Sequence, residues 1–346
     1  MIDLLRGLAI FVVLILHYGV VLSVGPPRYL TMEAMGKLSL NGYYGVSTFF
    51  VISGYIITMT TLKRYGDFGS ISILDFYKNR FARIAPGMAL FLGVALALFY
   101  LSVPGFNPIS PLPLGRVLLA VFTLRVNTVL EGLAPTWFVL WSLAIEEVFY
   151  LSYPIVFKAL RRPIFLAALL AAVVVAGPLV RLECGYGSVY FGTGCFDQLA
   201  LGCLTAIMVS EVGVCSPAMA TALCATGATI WAMCYLGSSI SYDYVCGPTI
   251  IALASAVILA GSAGMRQVVK GAVRGTLARM GPLSYEIYLF HMIIFISIGH
   301  LVAFGKVSHT YGSDVLFLPA VLVVFLVSKL VSRRLLQPVC DRIRAW

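Results

Sequence analysis

The chain has 346 residues, 60% of them hydrophobic and only 11% charged, with a mean hydropathy of +0.97. That composition excludes a soluble globular domain and describes an integral membrane protein. Its 24 Lys and Arg against 14 Asp and Glu give a net charge of +10. The excess is read as membrane topology and not as a nucleic-acid surface, because basic residues collect in cytoplasmic loops.

Ten apolar stretches are long enough to cross about 30 Å of hydrocarbon at roughly 20 residues each. In chain order they are centred on 4–24, 42–62, 84–103, 137–158, 163–181, 192–210, 217–237, 247–264, 282–304 and 315–332. The first contains Arg6 and His17 and has no small-residue cleavage site before Gly25-Pro26-Pro27, so it is expected to be a transmembrane helix and not a signal peptide. The stretch 114–132 is shorter and carries Arg116, Arg125 and Asn127, which predicts one extra interfacial or re-entrant helix.

Placing both termini in the cytoplasm puts eighteen basic residues on the inner side: Arg6, Lys63, Arg64, Lys78, Arg80, Arg83, Lys158, Arg161, Arg162, Arg266, Lys270, Arg274, Arg279, Lys329, Arg333, Arg334, Arg342 and Arg344. Six remain outside, namely Arg28, Lys37, Arg116, Arg125, Arg181 and Lys306. The expected fold is all-α, a polytopic transmembrane bundle of about ten spans. Residues 1–346 are expected to form a single transmembrane domain with no appended soluble domain. The eight cysteines show no metal-ligand spacing and are read as small apolar fillers, with a Cys184–Cys195 or Cys184–Cys246 disulfide as the alternative.

Ionisable groups in hydrocarbon are costly, so those inside the spans are the first places to look for chemistry. Arg6 and His17 are eleven residues apart, which at about 100° per residue returns to within roughly 20° of one helix face about 16 Å farther along the axis. His17 falls about two-thirds along the first span, Glu146 and Glu147 near the middle of the fourth, and His291 near the middle of the ninth. A histidine beside a carboxylate is a general-base arrangement for activating a hydroxyl. Each residue is read equally as a buried polar group satisfied by a neighbouring helix. A metal site from His17, His291 and Glu146 lacks any local ligand pair, and none is expected. His300 and His309 fall at or beyond the outer end of the ninth span and are read as solvated.

The second span, Gly42-Tyr43-Tyr44-Gly45 through Phe49-Phe50-Val51-Ile52-Ser53-Gly54, has small residues that permit close approach of a helix or a ligand. Ser53 within it is a nucleophile only on weak local grounds. Arg80 and Arg83 share a helix face at the cytoplasmic edge, where a guanidinium pair clamps phosphates or simply anchors the helix.

In order along the chain, several blocks resemble the acyltransferase-3 family of bacterial membrane O-acyltransferases. They are Asp3-Leu4-Leu5-Arg6-Gly7-Leu8-Ala9 with His17, Gly45-Val46, Phe49 to Gly54, Arg80-Phe81-Ala82-Arg83-Ile84-Ala85-Pro86, Trp141-Ser142 through Glu146-Glu147 to Tyr150, Phe196-Asp197 with Gly202, and Gly281-Pro282-Leu283-Ser284-Tyr285 to Tyr288 and His291. Two positions depart from the family: Asn79 stands where many relatives carry arginine, and Cys195 where an arginine often precedes the aspartate by two residues.

The resemblance implies an enzyme of the cytoplasmic (inner) membrane of bacteria that moves an acyl group, most often acetyl, from cytoplasmic acyl-CoA to a hydroxyl of a surface polysaccharide or lipid-linked sugar. Acyl-CoA is a co-substrate, and no tightly bound cofactor is implied. It implies catalytic roles for His17, Arg6, Glu146 and Asp3, donor binding by Arg80, Arg83 and Ser53, and pocket roles for His291, Tyr288, Asp197, Trp141 and Tyr150. The expected partners are acyl-CoA, the glycan acceptor and membrane lipid, with no nucleic acid; a homodimer is left open. Direct transfer and an acyl-enzyme on His17 or Ser53 are both compatible with these residues. The competing readings are acylation of a small glycoside such as a macrolide, and a non-enzymatic polysaccharide or lipid transporter, for which inverted-repeat symmetry is not evident.

Overall fold

A computed structural model of the chain describes residues 1–22, 40–103, 106, 112–237, 240–265, 275–304 and 313–345. His309, Arg28, Lys37, Arg266, Lys270, Arg274 and Lys306, used above for topology and surface placement, lie outside those residues. Each of the ten predicted apolar stretches carries a helix among the described residues. They are α1 (Ile2–Leu22), α2 (Tyr43–Tyr65), α3 (Ile73–Tyr100), α5 (Leu140–Leu160), α6 (Pro163–Cys184), α7 (Phe196–Val212), α8 (Pro217–Leu236), α9 (Gly247–Gly264), α10 (Ser284–Phe304) and α11 (Ser313–Val331), with α4 (Leu114–Phe122) between the third and fourth. Hydrocarbon cannot hydrogen-bond the backbone, so helices that satisfy it internally are the natural form for these runs.

Among the described residues, nine helices are long and apolar enough to cross a membrane. The remaining expected segment, 192–210, begins with a short 3₁₀ turn at Gly192–Gly194, so α7 has 17 residues and falls just under that length. Helix α4 has nine residues and leads into a 3₁₀ turn at Val126–Gly132, too short to span, in keeping with the extra non-spanning helix expected there. Both alternative disulfides are absent: all eight cysteines are free, and the buried Cys195 thiol donates instead to the Val189 carbonyl at 3.0 Å.

The chain divides into two compact units: Met1–Val13, Leu40–Ile73 and Ile145–Pro282 form the first, and Leu14–Ser39, Leu74–Ala144 and Leu283–Trp346 the second. In the first, α2 and α7 pack closely, with α9 against both and α8 along α9. Leu5, Val51, Ile52, Tyr55, Leu201, Ala252 and Leu259 are part of its apolar core. Two glycines set the α2–α7 approach reciprocally. A Cβ on Gly54 would collide with the Leu199 carbonyl, and one on Gly202 with the Val51 carbonyl. The same device recurs where Gly7 lies against the Leu277 carbonyl and Gly281 against the Asp3 carbonyl. Small residues thus replace the hydrophobic effect, which hydrocarbon does not supply, by close van der Waals contact.

In the second unit α10 runs along α11. Tyr18 meets Phe295 and Phe317 edge-on at 5.5 and 5.0 Å between ring centroids, and Phe91 meets Trp137 and Phe290 at 6.4 Å each. The Tyr285 hydroxyl donates to the Ile84 carbonyl at 2.9 Å while its ring covers Gly87, tying α10 to α3. Past α11 a single π-helical turn, Ser332–Leu336, lets Ser332 donate to Glu286 at 2.8 Å.

Gly202→Ala is expected to lower stability by about 1–3 kcal/mol through overpacking. Gly93→Ala, on an open helix face with nothing within 4 Å of the added carbon, is expected to be neutral or stabilising. Thermal unfolding of the two variants in detergent micelles compares them directly.

Candidate active site

Helix α1 carries His17 half-buried and α10 carries His291 with no exposed surface. The two rings meet through His291 Nε2 and His17 Nδ1 at 3.1 Å, with centroids 4.8 Å apart and planes inclined by 57°. The other nitrogen of His291, Nδ1, lies 2.7 Å from the Tyr288 carbonyl and 3.1 Å from that of Ile287, one turn back on its own helix. Tyr288 is held in turn by a 2.6 Å hydroxyl pair with Ser142, and Phe295 stands edge-on to the His291 ring at 5.9 Å. The second unit therefore gathers His17, His291, Tyr288 and Ser142 into one run of contacts. Ser142 was not singled out in the sequence, although it stands beside Trp141 in the quoted block. Trp141 is buried, and its carbonyl accepts from Asn127 at 3.4 Å.

Arg80 and Arg83 occupy the early turns of α3 in the same unit, Arg80 half-buried and Arg83 exposed. Their three-residue spacing puts both guanidinium groups on one side of the helix, a geometry suited to an oxyanion cluster such as a phosphate. Asn79 donates to the Asp75 carboxylate at 3.0 Å and to the Asp75 carbonyl at 2.6 Å.

The first unit holds the remaining candidates. Arg6 pairs with Asp3 at 3.7 Å, its own side chain only 15% exposed while that of Asp3 is 53% exposed. Ser53 donates to Glu146 Oε1 at 2.6 Å, the short distance expected of a hydroxyl on a carboxylate. Tyr150 is buried and meets the Phe149 ring edge-on at 6.1 Å between centroids.

Asp197 belongs to a different kind of arrangement. It sits in the first turn of α7, where a helix N-terminus favours an anion, and receives a bidentate pair from Arg181 at 3.0 Å and 3.0 Å. Arg181 also donates through Nε to the Val245 carbonyl at 2.9 Å, and through its terminal nitrogens to the Gly194 carbonyl and Thr249 Oγ1. The Thr249 hydroxyl donates in turn to Asp197 Oδ2 at 2.6 Å. All five guanidinium N–H groups thus have acceptors, and both residues are fully buried. Arg181, from α6, supplies the guanidinium that Cys195 does not. Its signal in the sequence was a lone arginine closing an apolar run, counted with the outer basic residues. Together these bonds tie α6, α7 and α9 into one buried clasp.

Among the described residues no three His, Cys, Asp or Glu gather into a set that would hold a metal ion. What the fold defines is a multi-pass α-helical membrane protein with paired interior histidines and an arginine pair on a neighbouring helix of the same unit. The chain belongs to the acyltransferase-3 family: the family model described as "Acyltransferase domain" matches residues 1–333.

The chain is similar to the O-acetyltransferase OatA of Staphylococcus aureus strain NCTC 8325, 31% identical over 185 residues, covering 48% of this chain and 30% of that protein. A putative O-acetyltransferase of S. aureus strain COL is 31% identical over 147 residues, 34% of this chain and 20% of the relative. This chain therefore covers less than a third of the length of either relative. No solved structure matches it.

Arg181→Met leaves the Asp197 carboxylate buried without its cation and is expected to cost about 3–5 kcal/mol. The double variant Arg181→Met/Asp197→Leu removes both charges and is expected to recover most of that loss. Thermal unfolding in detergent, run on the two side by side, reads the difference.

Proposed function

We propose that this protein is an acyl-CoA-dependent O-acyltransferase of the bacterial inner membrane, with both termini in the cytoplasm, that acetylates a hydroxyl of a surface polysaccharide or lipid-linked sugar. One observation carries the reading: the half-buried His17 is hydrogen-bonded to the fully buried His291, in the unit that also carries Arg80 and Arg83. Family membership and the similarity to O-acetyltransferases support the reaction class.

In this reading the donor phosphates rest on Arg80 and Arg83 and the thioester reaches His17. His17 takes the proton of the acceptor hydroxyl as its oxygen attacks the thioester carbonyl. The new C–O ester bond forms, the C–S bond breaks, and the departing CoA thiolate receives the proton back from His17. Base catalysis of this kind contributes roughly 10²–10⁴-fold.

Ser53 and Glu146 present a hydroxyl and a carboxylate suited to hydrogen-bonding a polar substrate, which is the role proposed for them. Arg6, about 16 Å before His17 on the same helix, is too far to touch it and is proposed to support donor binding, with Asp3 orienting its guanidinium. Trp141 and Tyr150, both buried, are proposed to shape the lining. Membrane lipid surrounds the bundle, and the acceptor arrives on a lipid or glycan carrier.

Purified protein in lipid vesicles is expected to release CoA from acetyl-CoA when supplied with envelope glycans. His17→Ala is expected to lower kcat at least about 100-fold. Arg80→Ala and Arg83→Ala are expected to raise KM for the donor by about tenfold each, the scale of one charged hydrogen bond. No thioester consumption with any donor and glycan, together with unimpaired cellular function of Arg80→Ala, rejects the enzyme and leaves a transporter.

A further inference from the structure

The hydrogen bonds of His291 determine which nitrogen of His17 exchanges a proton. Nδ1 of His291 faces two backbone carbonyls, from Tyr288 and Ile287, and carbonyl oxygens only accept. That nitrogen therefore carries a hydrogen. A neutral imidazole bears its second nitrogen unprotonated, so Nε2 of His291 offers a lone pair to His17 Nδ1 at 3.1 Å. His17 must then place a hydrogen on Nδ1, which leaves Nε2 as the nitrogen that gains and loses the catalytic proton.

We propose that His291 is the positioning residue of a histidine dyad, accepting the Nδ1–H of His17 and thereby assigning His17 Nε2 as the base. The assignment rests on the acyltransferase reading above. A carboxylate does the same for histidine in hydrolytic triads, fixing tautomer and ring orientation without itself taking the proton. Here a buried imidazole serves, and it gives the imidazolium formed on His17 an acceptor for the same Nδ1–H. The support extends one step further back. Tyr288, whose carbonyl holds His291, is tied by its hydroxyl to Ser142 of α5 at 2.6 Å, and Phe295 packs on the ring. The orientation of His17 is therefore built from α5 and α10, helices far from it in sequence.

Two measurements test the dyad on the 346-residue chain. Nitrogen-15 spectra of histidine-labelled wild type in micelles, with His17 assigned by its absence from His17→Gln, are expected to show His17 protonated at Nδ1. An unprotonated Nδ1 overturns the proposal whatever the activity.

Kinetics supply the second measurement. His291→Phe keeps a ring in the packed site and loses the acceptor. It is expected to lower kcat by about 100-fold with little change in donor KM, the upper end of effects seen when a supporting hydrogen bond to a functional histidine is removed. His291→Gln restores a carbonyl acceptor and is expected to stay within about tenfold of wild type, the lower end of that range. The deficit of His291→Phe is expected to shrink with a phenolic acceptor, which needs less help to lose its proton; a general loss of structure would not discriminate between acceptors.

Wild-type kcat in His291→Phe, or equal loss in the Phe and Gln variants, overturns the dyad. If wild type transfers no acyl group at all, the functional reading fails instead, and the nitrogen spectra still decide the tautomer.

Discussion

Hydrocarbon offers no hydrogen bonds, and that single property of the solvent governs this molecule from backbone to site. It forces each apolar run into a helix whose backbone satisfies itself. It also removes the usual reason for helices to associate, so they meet through close contact between small residues. Gly54 against Leu199 and Gly202 against Val51 are the clearest case, each glycine admitting the carbonyl of the facing helix. Any side chain larger than hydrogen at either position would separate α2 from α7 and, with them, the unit that holds Ser53.

The same solvent sorts the interior polar residues into two kinds. Arg181 and Asp197 are fully buried, and every donor of the guanidinium is matched, by Asp197, Thr249 and two backbone carbonyls. A charge pair so completely enclosed and hydrogen-bonded ties the helix ends it joins. His17 is different in being half-buried, with one ring nitrogen turned to a buried partner. Ser53 and Glu146 resemble it, since both keep partial exposure while sharing a short hydrogen bond. His17, Ser53 and Glu146 thus combine partial exposure with a specific partner, whereas Arg181 and Asp197 are fully enclosed.

Much of this was legible from residue order alone. The ten helices fall where apolar runs of about 20 residues placed them, because the penalty for exposing backbone to hydrocarbon is local and acts on each run separately. His17 and His291 stood out because an ionisable residue inside such a run is costly enough to need a purpose. The blocks around Arg6, Arg80, Glu146 and His291 pointed to the acyltransferase-3 family, to which the chain belongs. The partner of Arg181 was not legible, since a basic residue at the end of an apolar run looks the same whether it faces water or a buried aspartate.

Sequence by itself determined the helices, the membrane setting, the family and the short list of polar residues worth attention. Only the tertiary structure decided how those residues pair: His17 with a residue 274 positions away, Ser53 with one 93 positions away, and Asp197 with Arg181 of the preceding helix. Pairing depends on the rotation and axial offset of each helix against its neighbours. Helices that are apolar around most of their circumference, such as α2 and α10, carry no polar stripe from which that rotation is read. The glycine contacts and buried hydrogen bonds that set it exist only once the helices have met.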